Sequence, residues 1–233
     1  MKLSPEDIKY INNVVTTAQL VGIDSMIIEP DVVRAIDEAK TVLILQTEDV
    51  PEFVFGSIGL NRVATYMSRY DIAKTQDNFV VEAVTDDNSE FVRSLTMKGK
   101  GVKIDYRCAN PTTITAPKKL RDEAQFAIQL NGEAVMLYQK GLAAMGSDVV
   151  TIISNDGVSF EFADNNADVF SHQFAKDVEV LEGGIVANFA HKYPAKVLGA
   201  LFKHNPTGTF TIGKAGTLSM DVNGLSVTIL PRA

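Results

Sequence analysis

Residues 60–69 read LNRVATYMSR, and residues 194–203, which begin 134 positions later, read PAKVLGALFK. At about 100° per residue, each segment predicts a helix with an apolar side and a cationic side. The cations are Arg62 and Arg69 in the first segment and Lys196 and Lys203 in the second. The apolar sides consist of Leu60, Val63, Ala64 and Met67 and of Val197, Leu198 and Leu201. Because the net charge is −7, cations kept on one side of short helices indicate a polyanionic partner.

The composition is typical of a globular protein. With 233 residues, of which 45% are hydrophobic, the chain suits one large domain or two of about 115 residues each. The apolar runs are short and none follows Lys2, so a signal peptide and a membrane span are disfavoured and we expect a cytoplasmic protein. The single cysteine, Cys108, excludes an internal disulfide and a multi-cysteine zinc site, and we expect a buried, unreactive thiol.

Short β-branched or aromatic segments bounded by turn residues predict a strand-rich protein. The predicted strands are residues 26–28, 41–46, 53–55, 79–84, 149–153, 158–162, 209–212 and 225–230. Asp156-Gly157 and Asn223-Gly224 lie between alternating segments, where residues that tolerate positive φ close tight antiparallel hairpins. A longer turn is predicted at residues 86–89.

Helices are predicted near residues 5–17, 59–69, 132–145 and 194–204. The first has Ser4 as N-cap, Pro5 at its first position and Asp7 three residues after the cap. Its apolar stripe is Ile8, Ile11, Val15 and Ala18, and a shift of 127 positions aligns it with Val135, Tyr138, Leu142 and Met145 of the third helix. The same shift aligns Asn13 with Lys140, so the order helix, strands, helix, strands occurs twice.

The two halves are joined by an extended segment. Residues 111–122 contain Pro111 and Pro117 and have no helical period, which is typical of a stiff connector. We therefore predict an N-terminal domain of residues 1–110, a connector of residues 111–122 and a C-terminal domain of residues 123–233.

The residues that could support catalysis form no recognisable motif. His172, His191 and His204 have no second ligand-type residue at helical spacing, so no metal site is predicted. Cys108 with a distant histidine, or Ser154-Asn155-Asp156, would be the basis of a hydrolase, but neither lies in a nucleophile motif. The glycines at 213, 216 and 224 are too far apart for a phosphate loop, so neither an enzyme nor a cofactor is expected.

The segment VRAIDEAKTVLIL at residues 33–45 resembles the Ala-Met-Asp-x-x-His-Val-x-Leu stretch of DNA polymerase sliding clamps, the PCNA family. Gly59-Leu60-Asn61-Arg62 before an apolar helix and the closing residues 228–233 also look like clamp segments. The order of these segments, the repeat and the connector extend the resemblance over nearly the full chain. Residues 1–4 and the compact length are similar to the tailed-bacteriophage type.

The resemblance implies an α+β fold of two repeated clamp-type domains, with antiparallel sheets outside and four short helices lining the inner face of a ring. Six such domains make the ring, so the chain would form a homotrimer that encircles duplex DNA as a polymerase processivity factor, in the host cytoplasm if viral. The residues expected to contact DNA, independently of its sequence, are Lys9, Asn13, Arg62, Arg69, Lys140, Lys196 and Lys203.

The resemblance also implies a groove in which the DNA polymerase and the clamp loader insert short peptides. Its walls match Ile36, Lys40, Thr41, Ile114, Leu230 and Pro231. Lys40 replaces a histidine found in many relatives, which leaves the partner's motif open, and Leu230 and Pro231 also suit ordinary strand-end packing. The competing interpretation of the whole chain is a monomeric β-rich binding protein or viral structural component whose helix cations only favour solubility.

Overall fold

The computed structural model describes residues 1–46, 50, 56–86, 90–117, 122–155, 157–175, 179–181 and 188–232. Backbone proximity divides the chain into two compact units, Met1–Lys119 (unit 1) and Leu120–Ala233 (unit 2). Each unit combines antiparallel strands with a pair of α helices, which confirms the α+β class. The predicted strand at 53–55, most of the turn at 86–89 and residues 118–121 of the connector lie outside the described residues.

Unit 1 contains two groups of antiparallel strands. Its helices are α1 (Pro5–Leu20) and α2 (Val63–Ala73), and its strands are β1 (Met26–Ile28), β2 (Val33–Ile36), β3 (Val42–Gln46), β4 (Ile58–Leu60), β5 (Val80–Thr85), β6 (Val92–Gly99) and β7 (Val102–Arg107). The first group has the order β3-β2-β1-β4 and the second the order β5-β6-β7.

The N-terminal residues cover one edge of the second group. Leu3 N donates to Val81 O at 2.9 Å, and Ala83 N donates to Met1 O at 2.7 Å, so residues 1–3 run along β5. No strand of the described residues pairs with the far side of β7. Strand β7 is therefore the open edge of this sheet.

Unit 2 repeats the arrangement. Its helices are α3 (Gly132–Met145) and α4 (Ala195–His204), and its strands are β8 (Ala124–Gln129), β9 (Val149–Ser154), β10 (Val158–Ala163), β11 (Val169–Ala175), β12 (Glu179–Val180), β13 (Phe189–Pro194), β14 (Thr209–Gly213), β15 (Leu218–Val222) and β16 (Leu225–Ile229). One sheet has the order β12-β8-β14-β15-β16 and the other β11-β10-β9-β13. Arg232 bridges to Lys192 on β13, and the far side of β11 has no partner strand among the described residues.

Local signals place several element ends where the sequence predicts them. Ser4 and Asp7 form the capping box of α1, with Asp7 N donating to Ser4 Oγ at 3.1 Å and Ser4 N donating to Asp7 Oδ2 at 2.8 Å. Asn223 and Gly224 both have positive φ, 55° and 79°, and close the predicted hairpin between β15 and β16. Strands β9 and β10 also pair antiparallel, although Asp156 itself is outside the described residues.

The second helix differs from the prediction in its start and its phase. Leu60 lies in β4, where it pairs with Met26, and α2 begins only at Val63. Val63 N donates to Asp24 Oδ1 at 3.1 Å. The first backbone N–H of α2, which has no acceptor within the helix, is therefore satisfied by a residue 39 positions earlier in the chain. The buried face of α2 is Val63, Tyr66 and Ala73, whereas Ala64 is exposed and Met67 is half-buried.

Most of the strands that were not predicted lack a continuous apolar run. Among the described residues they are β2, β4, β6, β7, β8, β11, β12, β13 and β15. Strand β7, for example, alternates charged Lys103, Asp105 and Arg107 with Val102, Ile104 and Tyr106, and only Tyr106 is fully buried. Such strands are stabilised by pairing with neighbours rather than by their own composition, so they leave a weak sequence signal.

Candidate nucleic-acid interface

A groove of about 620 Å³ lies between α1 and α2 of unit 1. Its polar lining consists of Lys2, Lys9, Asn12, Asn13, Thr16 and Lys74. Met67, Tyr70 and Phe79 are among its apolar residues. The fold thus brings the predicted residues Lys9 and Asn13 to one surface, with Lys9 exposed and Asn13 half-buried.

Lys2 and Lys74 of this groove were not found from the sequence. Lys74 directly follows α2. The predicted helix ended at residue 69, so Lys74 was not considered as part of a helix face. Its Nζ lies 2.5 Å from Asp71 Oδ1 and 5.5 Å from the centre of the Tyr70 ring. The hydrogen bond to Asp71 raises the pKa of Lys74, so this ammonium stays charged at neutral pH.

A second groove, of about 540 Å³, lies between α3 and α4 of unit 2. Lys140 and Lys203, both exposed, line it together with Gln139 and the side chain of Met136, which is 48% exposed. The fold therefore brings these two predicted lysines to one face. Gly199 allows the close approach of the helices, because a Cβ there would lie 3.0 Å from Leu142 Cδ2.

The charge of both grooves is opposite to that of the whole chain. The chain has 29 acidic and 22 basic residues, yet among the described residues that line the two grooves there are five lysines and no carboxylate. Asp71 lies beside the first groove and offsets part of the charge of Lys74. Charge is thus segregated toward the helix faces, which is the arrangement that attracts a polyanion to an acidic protein.

Lys196, on the first turn of α4, has a partner of its own. Its Nζ lies 2.9 Å from Asp148 Oδ1, and the two side chains are 76% and 74% exposed. The hydrogen bond from Lys196 lowers the pKa of Asp148. So exposed an ion pair contributes little to stability and leaves the ammonium accessible to other anions.

Arg62 and Arg69 are directed to a different place. Arg69 Nη1 donates to Asp105 O at 3.1 Å, and Arg62 Nη2 donates to Arg107 O at 3.2 Å. Both acceptors belong to β7, and both guanidinium groups lie near the ring of Tyr106. Neither arginine lines the groove between α1 and α2, and contact between DNA and any of the seven predicted residues stays a prediction.

Cys108 and the three histidines, which were considered for catalysis, each lie against groups of the surrounding fold. Cys108 is half-buried rather than fully buried, and burial raises the pKa of its thiol to about 12, so it is protonated at neutral pH. The His191 ring lies close to Gly216, His172 lies beside Phe160, and His204 is 3.2 Å from Asn223 Oδ1. Within the described ranges, no group of three or more metal-ligating side chains occurs and no helix is long and apolar enough to cross a membrane.

The solved structures that match this chain cover both of its units. No protein-family model matches the chain, and no curated protein matches it. A solved structure of A. fulgidus PCNA, bound to the C-terminal region of FEN-1, matches with a TM-score of 0.59 and 16% identity over 97% of this chain and 96% of that chain. PCNA from Thermococcus kodakaraensis matches with a TM-score of 0.64 and 14% identity over 96% of both chains. Proliferating cellular nuclear antigen from Entamoeba histolytica matches with a TM-score of 0.62 and 12% identity over 96% of this chain and 95% of that chain.

The chain has the PCNA clamp fold. The predicted fold class is thereby confirmed, and it extends over both units. At identities of 16% or less, the likeness establishes the fold alone, and function has to be argued from the residues. None of the three proteins named above comes from a bacteriophage, and they give the predicted tailed-bacteriophage type no support.

The first predicted wall of the peptide groove is a tight turn of the clamp fold between β2 and β3. Asp37 organises it, because its carboxylate accepts hydrogen bonds from Thr41 N at 2.6 Å and Val42 N at 2.7 Å. Lys40 is exposed and has a φ of 57°, while Ile36 and Thr41 are half-buried. Lys40 thus lies exposed on a turn that the Asp37 carboxylate closes.

The other predicted wall residues also lie at element ends. Ile114 follows a short 3-10 helix (Pro111–Thr113) and packs over β4, where a Cβ on Gly59 would lie 3.1 Å from Ile114 Cδ1 and would clash with Ala109 O. Leu230 and Pro231 follow β16 and are half-buried. Exposed apolar surface remains at each position, and the binding of a peptide there stays a prediction.

Proposed function

We propose that this chain is a sliding clamp, a DNA polymerase processivity factor that encircles duplex DNA. The observation that carries the proposal is the clamp fold combined, in each unit, with a lysine-lined helix groove that has no carboxylate among its described residues. Lysines attract phosphates without reading bases, so such a face holds DNA of any sequence and lets it slide.

The proposed assembly is a homotrimeric ring. Strand β7 in unit 1 and strand β11 in unit 2 each have one side with no partner strand among the described residues. Two different edges on one chain favour a head-to-tail contact, and a head-to-tail contact that closes on itself gives a ring. Three chains of two clamp-type domains supply the six domains that the resemblance implies.

The proposed partners, besides DNA and further copies of the chain, are a DNA polymerase and a clamp loader. A. fulgidus PCNA, solved with the C-terminal region of FEN-1, supports recognition of short segments by this fold. We assign the groove to Ile36, Lys40, Thr41, Ile114, Leu230 and Pro231. Replacing Leu230 by Glu should weaken polymerase stimulation at least about tenfold while the ring stays intact, because a charge replaces an apolar anchor. Unchanged stimulation would remove this site.

The proposed role requires no chemistry from the chain itself. A protonated Cys108 thiol and histidines with structural neighbours are consistent with a scaffold that acts by enclosure and tethering. No cofactor is needed for that role. We propose that the protein acts in the cytoplasm, which would be the host cytoplasm if it is viral.

Threading onto linear DNA tests the enclosure directly. A preassembled ring should thread onto a long linear duplex through its one open end. It should slide off again while that end stays open, and it should be retained when streptavidin blocks that end after threading. Blocking both ends beforehand should prevent accumulation. A protein that binds from the side would accumulate equally on all substrates, which would reject the clamp and favour the monomeric binding protein. Sedimentation should show three times the mass of 25.3 kDa.

A further inference from the structure

Two arginines of α2 donate to backbone carbonyls on the unpaired side of β7. Arg69 Nη1 is 3.1 Å from Asp105 O and Arg62 Nη2 is 3.2 Å from Arg107 O. These acceptors are two residues apart on β7, which is the repeat of groups that point to one side of a strand. Each arginine thus satisfies one carbonyl on this side of β7, and Ala109 N, the next group in the alternation, donates to Gly59 O of β4 at 2.8 Å.

The register shows that this row faces away from the sheet. Gly99 pairs with Val102 across a two-residue turn, so the residues of β7 that bond to β6 are Val102 and every second residue after it. Cys108 N donates to Arg93 O at 2.9 Å, which fits this alternation. The backbone groups of Lys103, Asp105 and Arg107 therefore point outward, where an added strand would pair.

The arginines are held at this edge by packing. Arg62 Cζ lies 5.4 Å and Arg69 Cζ lies 5.8 Å from the centre of the Tyr106 ring. Tyr106 is fully buried and meets Tyr66 of α2 edge-on at 5.5 Å between ring centres. A cation near an aromatic face is stabilised by the ring's charge distribution, so the two guanidinium groups have a defined seat beside the edge.

We propose that Arg62 and Arg69 form a displaceable cap on the edge of β7, and that a strand of a second copy must take over these carbonyls for the chain to self-associate there. Open edges recruit stray strands, and proteins commonly block them with charged side chains. The arginine donors occupy the carbonyls to which the N–H groups of an incoming strand would bond, so the cap weakens subunit association. This inference rests on the self-association in the proposed function, whose contact it makes conditional.

Self-association without DNA tests the cap. Arg62→Met with Arg69→Met keeps the long apolar stems against Tyr106 and removes the donors. Lys196→Met with Lys203→Met is the matched control, since it removes the same charge at the same spacing on α4, where Lys196 pairs with Asp148 and Lys203 lines a groove. In sedimentation velocity over a concentration series, half-assembly of the arginine variant should require about tenfold less protein than wild type, because the carbonyls of β7 are then free for an incoming strand. The control should stay within about twofold of wild type.

Single substitution of Arg62 guards against misfolding of the double variant, because Arg62 is exposed and precedes the helix. It should tighten assembly about threefold, as expected if each arginine contributes equally. Unchanged or weaker assembly of the arginine variants relative to the lysine control, or wild type and variants that all stay monomeric, would overturn the cap.

The outcomes for the cap and for the clamp are separable. End-dependent retention on DNA with unchanged assembly of the arginine variants would reject the cap and leave the clamp standing. Tighter assembly of these variants without end-dependent retention of wild type would support the cap and reject the clamp.

Discussion

Helices α2 and α4 carry cations at the same spacing but present them to different surroundings. Arg62 and Arg69 bond to the backbone of β7 in their own unit. Lys203 lines the open groove with Lys140, and Lys196 pairs with the exposed carboxylate of Asp148. A shared spacing of seven residues therefore does not give the two pairs the same neighbours.

The difference arises from the buried face of each helix. In α2 the buried face includes Tyr66 and Ala73. Arg69 lies beside this face and is half-buried. In α4 the buried residues include Leu198, Leu201 and Phe202, and Lys203 remains exposed. Rotation of a helix about its axis decides whether a cation reaches a neighbouring strand or the solvent.

The largest expected effect concerns the seat of the two arginines. Replacing Tyr106 by Ala removes a fully buried ring and should lower the free energy of unfolding by about 3–5 kcal/mol in urea denaturation, as for other buried aromatics. Tyr106→Phe, which keeps the ring, is the control and should cost much less. Equal losses for the two variants would show that the ring does not support α2.

A second prediction compares the two pairs on DNA. Lys140→Gln with Lys203→Gln should make the dependence of log affinity on log salt less steep by about 1.8 per bound chain, because each lost phosphate contact removes about 0.9. Arg62→Met with Arg69→Met should change this slope less, since these arginines are engaged with β7. Equal changes would assign both pairs to DNA and would contradict the contrast between α2 and α4.

The smallest effect concerns the exposed pair on α4. The hydrogen bond from Lys196 lowers the pKa of Asp148, so the stabilisation it gives is present above the unfolded pKa of the carboxyl and lost as pH falls through the folded pKa. In an NMR titration, Lys196→Gln should raise the pKa of Asp148 toward its ordinary value, and Lys203→Gln should leave it unchanged. A pKa of Asp148 that does not respond to Lys196→Gln would show that the pair is not formed in solution.

Element ends with local signals were predictable from the sequence. The Ser4 and Asp7 capping box lies within three residues and the Asn223-Gly224 turn within two, so the chain needs no distant partner to favour them. The α+β class followed from the alternation of helical and strand patterns, and the two-unit clamp fold followed from the resemblance of residues 33–45, 59–62 and 228–233 to clamp segments. The helical period correctly predicted that Lys9, Asn13, Lys140 and Lys203 lie on helix faces that the fold leaves open.

The sequence by itself determined the helices, the tight turns and the presence of cations on helix faces, since these follow from residues a few positions apart. Only the tertiary structure decided that α2 begins at Val63 beside Asp24, 39 residues earlier, and that Arg62 bonds to Arg107, 45 residues later. Such contacts form because the whole unit lowers its free energy by burying Tyr66 and Tyr106 together, and no local pattern encodes which way the neighbouring cations then turn.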